Sequence, residues 1–226
     1  EMCIRDSTKG AWAGEIGMVQ MLPKDILENG VDADGDGTIN LQSSTSDALF
    51  SAAKMLKSLG WQANEPWLQE VTLTKDIDWL DTGTDKIKTV KEWRSLGITG
   101  KYTDLPAGSN NASLIIPQGR KGPKFLAYSN FNVFFEWNKS FIYVLTAAHF
   151  ANRLEGSPAF SPGNPDKGLN KNQMKLLQTK LKNLGYEVGQ IDGILGAKTR
   201  RSIQEVQKTL KKPADAWPTI ELLETF

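Results

Sequence analysis

The sequence has a single cysteine, Cys3, so no disulfide can form within the chain and the redox compartment is left open. Charge imbalance is almost absent. Lys and Arg number 27 against 26 Asp and Glu, which excludes a polybasic field and, with it, nucleic acid as the main partner. No run of about 18 apolar residues occurs, so no segment reads as a membrane-spanning helix. There is no Met at position 1, and the opening EMCIRDS has no apolar signal core and no periodicity. Residues 1–7 read as a leader foreign to the rest of the chain, on a sequence entered partway through a domain, so the missing signal peptide says nothing about export.

What is present is ordinary for a folded protein. Of the 226 residues, 39% are hydrophobic and 23% charged, enough for one large or two small domains. KGAWAGEIGMVQMLP, residues 9–23, reads as a tight turn entering a short helix, with Gly10, Gly14 and Gly17 allowing close backbone approach. SDALFSAAKMLKSLGW has Leu49, Ala52, Ala53 and Leu56 at helical spacing, with Ser46 or Asp47 as N-cap and Gly60 as stop. Further on, VTLT and SLIIP predict short strands and TVKEWRSLG a short helix. FLAYSNFNVFFEWN mixes strand-like alternation with turn residues. SFIYVLTAAHFANRL is apolar on almost every face and predicts a buried helix, with His149, the only histidine, as a core residue.

EGSPAFSPGNPDKGLN, rich in Pro and Gly and poor in apolar residues, predicts a flexible linker. Beyond it lie three apolar stripes: Met174, Leu177, Leu181 and Leu184; Ile203, Val206 and Leu210; Leu222, Leu223 and Phe226. They suit a three-helix unit near the lower size limit for independent folding. The expected organisation is therefore 1–7 leader, 8–155 first domain, 156–169 linker and 170–226 second domain.

The stretch VDADGDGTINL has the beginning of a calcium-binding loop. An EF-hand loop places oxygen ligands at positions 1, 3, 5 and 7, Gly at 6 and a bidentate Glu at 12. Counting from Asp32, the chain supplies Asp34, Asp36, Gly37 and Thr38, but the twelfth position is Ser43 and the next acid is Asp47. Spacing alone leaves two readings: an acidic surface turn, or a loop that closes late.

Two resemblances bear on this choice. LQTKLKNLGYEVGQIDGILGAKTRRSIQEVQKTL is similar to peptidoglycan-binding domains of the three-helix type, through Leu177-Gln178, Leu184-Gly185-Tyr186, Gly189, Ile191-Asp192-Gly193, Gly196, Lys198-Thr199-Arg200 and Gln207. The front of the chain resembles the lytic murein transglycosylase B family. KGAWAGEIGMVQMLP matches its Lys-Gly-Ser-aromatic-Ala-Gly-x-Met-Gly-x-x-Gln motif, VDADGDGTINL…SDA its calcium loop, and GPKFLAYSNFNVFFEWNKSFIYVLTAAHFANRL its closing segment.

The resemblance implies a mainly α (α+β) chain: part of a lysozyme-like catalytic domain with an EF-hand-like calcium loop, then a small peptidoglycan-binding unit. It implies a structural calcium held by Asp32, Asp34, Asp36, the Thr38 carbonyl and Asp47. The implied reaction cleaves the β-1,4 bond between MurNAc and GlcNAc. A Glu first protonates the leaving oxygen, and the resulting carboxylate then acts as base on the sugar's own carbon-6 hydroxyl, giving 1,6-anhydro-MurNAc ends. Gln20, Trp137, Asn138 and Tyr143 match residues that hold glycan, an amide and aromatic faces suiting sugars. Implied partners are glycan strands and stem peptides; a monomer in the periplasm or at the outer membrane is expected.

The resemblance also exposes departures. The family's acid lies in a Glu-Thr-x-x-Gly motif upstream of Lys-Gly-Ser, whereas the only Glu-Thr pair here is Glu224-Thr225, so no catalytic residue is assigned. Glu15 and Glu136 are weak substitutes, the latter read as a structural ion pair. Ala11 stands for the usual Ser, Ile16 for Met and Met55 for Tyr. The alternative reading is a wall-binding or scaffold protein without catalysis.

Overall fold

In the computed structural model, which describes residues 9–107 and 110–226, the chain divides into two compact units, one ending at Glu65 and one running Pro66–Phe226. The expected leader at 1–7, with Cys3, lies outside the described residues. Residues on both sides of the 156–169 segment fall within the second of these units.

In the first unit the motif segment forms turns closed by an Ile16–Met21 bridge and leads into α1 (Pro23–Asn29), which begins on proline, a residue whose fixed φ and missing N–H suit a first turn. Helix α2 (Thr45–Ser58) is capped by Ser44, whose hydroxyl accepts from Asp47 N–H; the cap falls just ahead of the predicted Ser46 or Asp47. Gly60, at φ +103°, lies just past the helix end as expected. Gly17 is where the motif meets the acidic loop. At φ +80°, a Cβ here would stand 2.4 Å from the Leu41 carbonyl oxygen, and the next N–H, Met18, donates to that same oxygen. Gly17→Ala should lower the melting temperature of this unit by roughly 5 °C or more, from steric and φ strain together; an unchanged melting curve would show that this approach is not tight in solution.

The second unit is built on an antiparallel sheet of order β2-β4-β5-β1-β3: β1 (Leu68–Leu73), β2 (Ile87–Thr89), β3 (Ile98–Gly100), β4 (Asn111–Ile115) and β5 (Phe125–Tyr128). Side chains alternate across it with the period of the pleat. Leu114, Leu126 and Tyr128 join Val71 and Trp93 on one face, where α3 (Val90–Ser95) lies and Trp93 Nε1 donates to Ala112 O at 2.8 Å. Ile115, Phe125 and Ala127 join Phe131, Val144 and Ala148 on the other, under α4 (Ser129–Trp137) and α5 (Phe141–Leu154). The segment of mixed character is thus a strand running straight into a helix. Helix α5 is not buried all round: only Val144 and Ala148 are fully enclosed, while Ile142, Phe150 and Leu154 are mostly exposed. His149 is half-buried, edge-on to Phe160, and burial holds its pKa below the usual value.

Helices α6 (Lys171–Asn183), α7 (Ala197–Thr209) and α8 (Ile220–Leu223) bury the predicted stripes around Leu177, Leu181 and Ile203, although Leu184 and Leu210, just past the helix ends, remain exposed. The 156–169 segment contains no helix or strand, yet it is pinned along its length. Ser161 N–H donates to Glu70 and Asn164 N–H to Lys121 O. Asp166 pairs with Lys121 at 2.7 Å, and its carbonyl accepts from Trp217 Nε1. The expected linker is thus a strap held to the unit by these contacts.

Candidate functional site

In the first unit, one carboxylate oxygen from each of Asp32, Asp34 and Asp36 lies within 4.8 Å of the others. Glycines at positive φ (Gly35, Gly37) let the loop fold back on itself. Asp32 accepts from the N–H groups of Gly35 and Gly37, Asp36 from the amide and hydroxyl of Thr38, and Asp34 from the Ser44 hydroxyl at 2.6 Å. Three converging carboxylates and a nearby turn backbone fit an oxygen-ligand set for a hard cation.

Asp47 is fully buried and is not one of those three; one of its oxygens accepts from Ala33 N–H at 2.9 Å and the other from Asn40 N–H at 2.8 Å. The Asn40 and Ala33 amides hold its pKa below the usual 3.8. It ties the two ends of the loop to α2. Sequence spacing places an acid there but cannot count the amides it faces.

Gln20 is exposed and held at φ +53°, a conformation uncommon outside glycine, with its Nε2 donating to Gly17 O at 2.7 Å. Trp12, in the same motif, is fully exposed; it is absent from the predicted glycan contacts, although the motif's aromatic position is a signal that marks it. Glu15 accepts from Ala13 N–H, within its own turn.

Trp137, Asn138 and Tyr143 are brought to one turn, between α4 and α5. Asn138 caps α4 with its N–H on Phe134 O, and its Oδ1 accepts from Ser140 N–H at 2.8 Å. Ser140 in turn caps α5. Trp137 is half-buried and Tyr143 mostly exposed, so neither is simply core. Glu136 pairs with Lys139 at 2.8 Å, the structural ion pair expected of it.

The C-terminal motif residues form a hydrogen-bond hub. Buried Gln178 accepts from Gly193 N–H at 2.9 Å and donates to Ile194 O at 3.0 Å, while Thr199 donates to Val188 O. Asp192 accepts from Ile194 N–H, which lowers its pKa, and Gln207 donates to Asp215 and accepts from Ala216 N–H. The recurring residue types are thus explained by loop closure.

Residues 2–152 match a family model described as a transglycosylase SLT domain, and residues 170–224 one described as a peptidoglycan binding domain. Among solved structures, the chain is similar to SltB3 from Pseudomonas aeruginosa in complex with NAG-anhNAM-pentapeptide, at 36% identity and TM-score 0.86 over 96% of this chain and 60% of that one. It is also similar to the soluble lytic transglycosylase SltB1 from Pseudomonas aeruginosa, at 28% identity and TM-score 0.52 over 67% of this chain and 51% of that one. A third is the Escherichia coli lytic transglycosylase Slt35 in complex with calcium, at 25% identity and TM-score 0.50 over 63% and 46%. The chain thus spans about 60% of the length of the SltB3 structure it matches. No curated protein matches the sequence.

Proposed function

The chain belongs to the transglycosylase SLT domain family, and on that footing we propose that it serves a lytic transglycosylase of the bacterial cell envelope, acting on peptidoglycan to leave 1,6-anhydro-MurNAc ends. The observation that carries this reading is the joining, in one chain, of that domain to a peptidoglycan-binding domain. A periplasmic location and a monomeric state belong to the proposal; among the described residues no helix is long and apolar enough to cross a membrane.

Gln20, Trp137, Asn138 and Tyr143 are assigned to glycan. The Gln20 amide and Asn138 Nδ2, which makes no hydrogen bond among the described residues, suit hydroxyl and N-acetyl groups; the aromatic rings suit the apolar face of a sugar. Asp32, Asp34, Asp36, the Thr38 carbonyl and Asp47, which closes the loop from α2, are assigned to calcium, whose positive charge would offset the repulsion among the clustered acids. Slt35 in complex with calcium supports the choice of ion. No carboxylate of this chain is assigned as proton donor, since Glu15 and Glu136 are each engaged locally.

The test is to incubate the chain with purified sacculi, then assay the pellet for the protein and the supernatant for anhydro-muropeptides. Co-sedimentation without release is expected. Failure to sediment would overturn the wall-binding reading. Anhydro products that vanish in Glu15→Gln would instead make Glu15 the acid.

A further inference from the structure

The chain's one histidine lies where α5 meets the strap. His149 is half-buried, and its ring packs on that of Phe160, in the strap, with centres 4.9 Å apart and planes at 80°. Phe160 is also edge-on to Phe125 of β5, at 6.0 Å. The three rings line a cavity of about 440 Å³ whose wall continues through Leu145, Leu169 and Met174. Among the described residues neither ring nitrogen of His149 makes a hydrogen bond. A neutral imidazole suits this place, whereas an imidazolium gives up part of its water there and gains no acceptor in return.

Two charged side chains act on that ring, and both hold the strap. Arg153, one turn along α5, donates through Nη1 to Ser157 O. Glu70 of β1, its side chain 8% exposed, accepts from Ser161 N–H at 3.0 Å and pairs with Lys101 at 2.8 Å. Phe160 therefore sits between one clamp that a proton on His149 would repel and another that it would draw away. Arg200 lines the same cavity and adds a third positive group, while residues 157–163 carry no charge of their own. Burial, and after it Arg153, hold the His149 pKa below 6.5; Glu70 acts in the opposite sense. The rear of the strap hangs on other partners, Lys121 with Asp166 and Trp217 with the Asp166 carbonyl.

We propose that residues 157–161 form a pH-sensitive latch: a proton taken up by His149 releases Phe160 from α5 and uncovers the apolar cavity that the two rings share. This does not depend on the proposed action on the wall. The closed latch favours the neutral ring, and the open one returns it to its ordinary proton affinity. Closure is thus complete above about pH 6.5, weakens as pH falls through that value, and levels off below the lower value of the closed form. The open-to-closed ratio rises tenfold for each unit between the two.

A single histidine makes the test direct. The Cε1 proton of His149 is followed by NMR in the full chain from about pH 8 to about pH 5, alongside hydrogen exchange at Ser161 N–H corrected for its intrinsic rate. His149 is expected to titrate below 6.5. Ser161 exchange should rise over the same range, tenfold for each unit by which the ring's midpoint lies below its ordinary value. Asn164 N–H, bonded to Lys121 O at the rear, should not follow. His149→Gln, which takes up no proton, should leave Ser161 exchange flat. Flat exchange in the unaltered chain while His149 titrates would overturn the latch, as would a rise that persists in His149→Gln. If that variant does not fold, the unaltered chain decides alone: coincident ranges at the ring and at Ser161 uphold the latch, and separate ones overturn it.

Discussion

Gln178→Leu is expected to unfold the C-terminal helical unit within an otherwise folded chain. The side chain is 1% exposed, and its amide closes the glycine-rich loop by taking Gly193 N–H and giving to Ile194 O. Leucine fits the volume but leaves both backbone groups buried and unpaired, a loss of roughly 2–5 kcal/mol for the pair. A unit of this size has little stability to spare. Hydrogen exchange should show protection lost in α6 and α7 and retained in the sheet, with sedimentation on sacculi falling in parallel. Gln178→Glu should be nearly as damaging: it can still accept from Gly193 but cannot give to Ile194 O, and it faces Asp192. Unchanged protection in α6 would show that the hub is dispensable.

The second large effect lies in the acidic loop, where Asp34 and Asp47 are expected to act differently in the absence of calcium. Calcium at about 100 times its dissociation constant should stabilise the first unit by about 2.7 kcal/mol. Asp34→Asn should abolish that rise while leaving the calcium-free melting temperature nearly unchanged. Asp47→Ala should lower the calcium-free melting temperature itself, by roughly 5–10 °C, because two amides lose their acceptor. The pH dependence is set by the depressed pKa of Asp47. Its contribution is fully present above the unfolded value of about 3.9, and it is lost as pH falls through the lower folded value. Destabilisation on acidification from about pH 4 downward should therefore be weaker in Asp47→Ala than in the unaltered chain. A calcium response that survives Asp34→Asn would sink the ligand assignment.

The parts legible in the sequence were those fixed by local pattern. The stripes of α6 and α7, the strand character of Leu114 and Ile115, and the acidic loop all arise from spacing within one element. Long-range pairing was not legible. Helix α5 is apolar all round, so periodicity could not tell that Val144 would be enclosed and Ile142 left mostly exposed. Asp47 stood at the right distance for a ligand, and only the fold shows both of its oxygens held by amides. Arg200 drew notice only as part of a motif; its contacts are with Pro117 and Phe141, far away in the chain. The Pro- and Gly-rich composition of 156–169 predicts the lack of regular structure correctly, yet the partners that hold it, Glu70, Lys121 and Trp217, come from elsewhere.

That strap has a consequence for how the second unit would meet a wall strand under the proposed function. A module on a loose tether raises local concentration and is indifferent to spacing. Here the helices that match the peptidoglycan-binding domain and the turn that carries Trp137 and Asn138 belong to one unit, and the segment between them is hydrogen-bonded to that unit. Such an arrangement works as a caliper. If the proposed glycan contacts at that turn hold, contacts at the two places would be made together only on a polymer whose repeat matches the gap between them, and selection among strands would then follow from geometry, without any change in the chemistry of either contact.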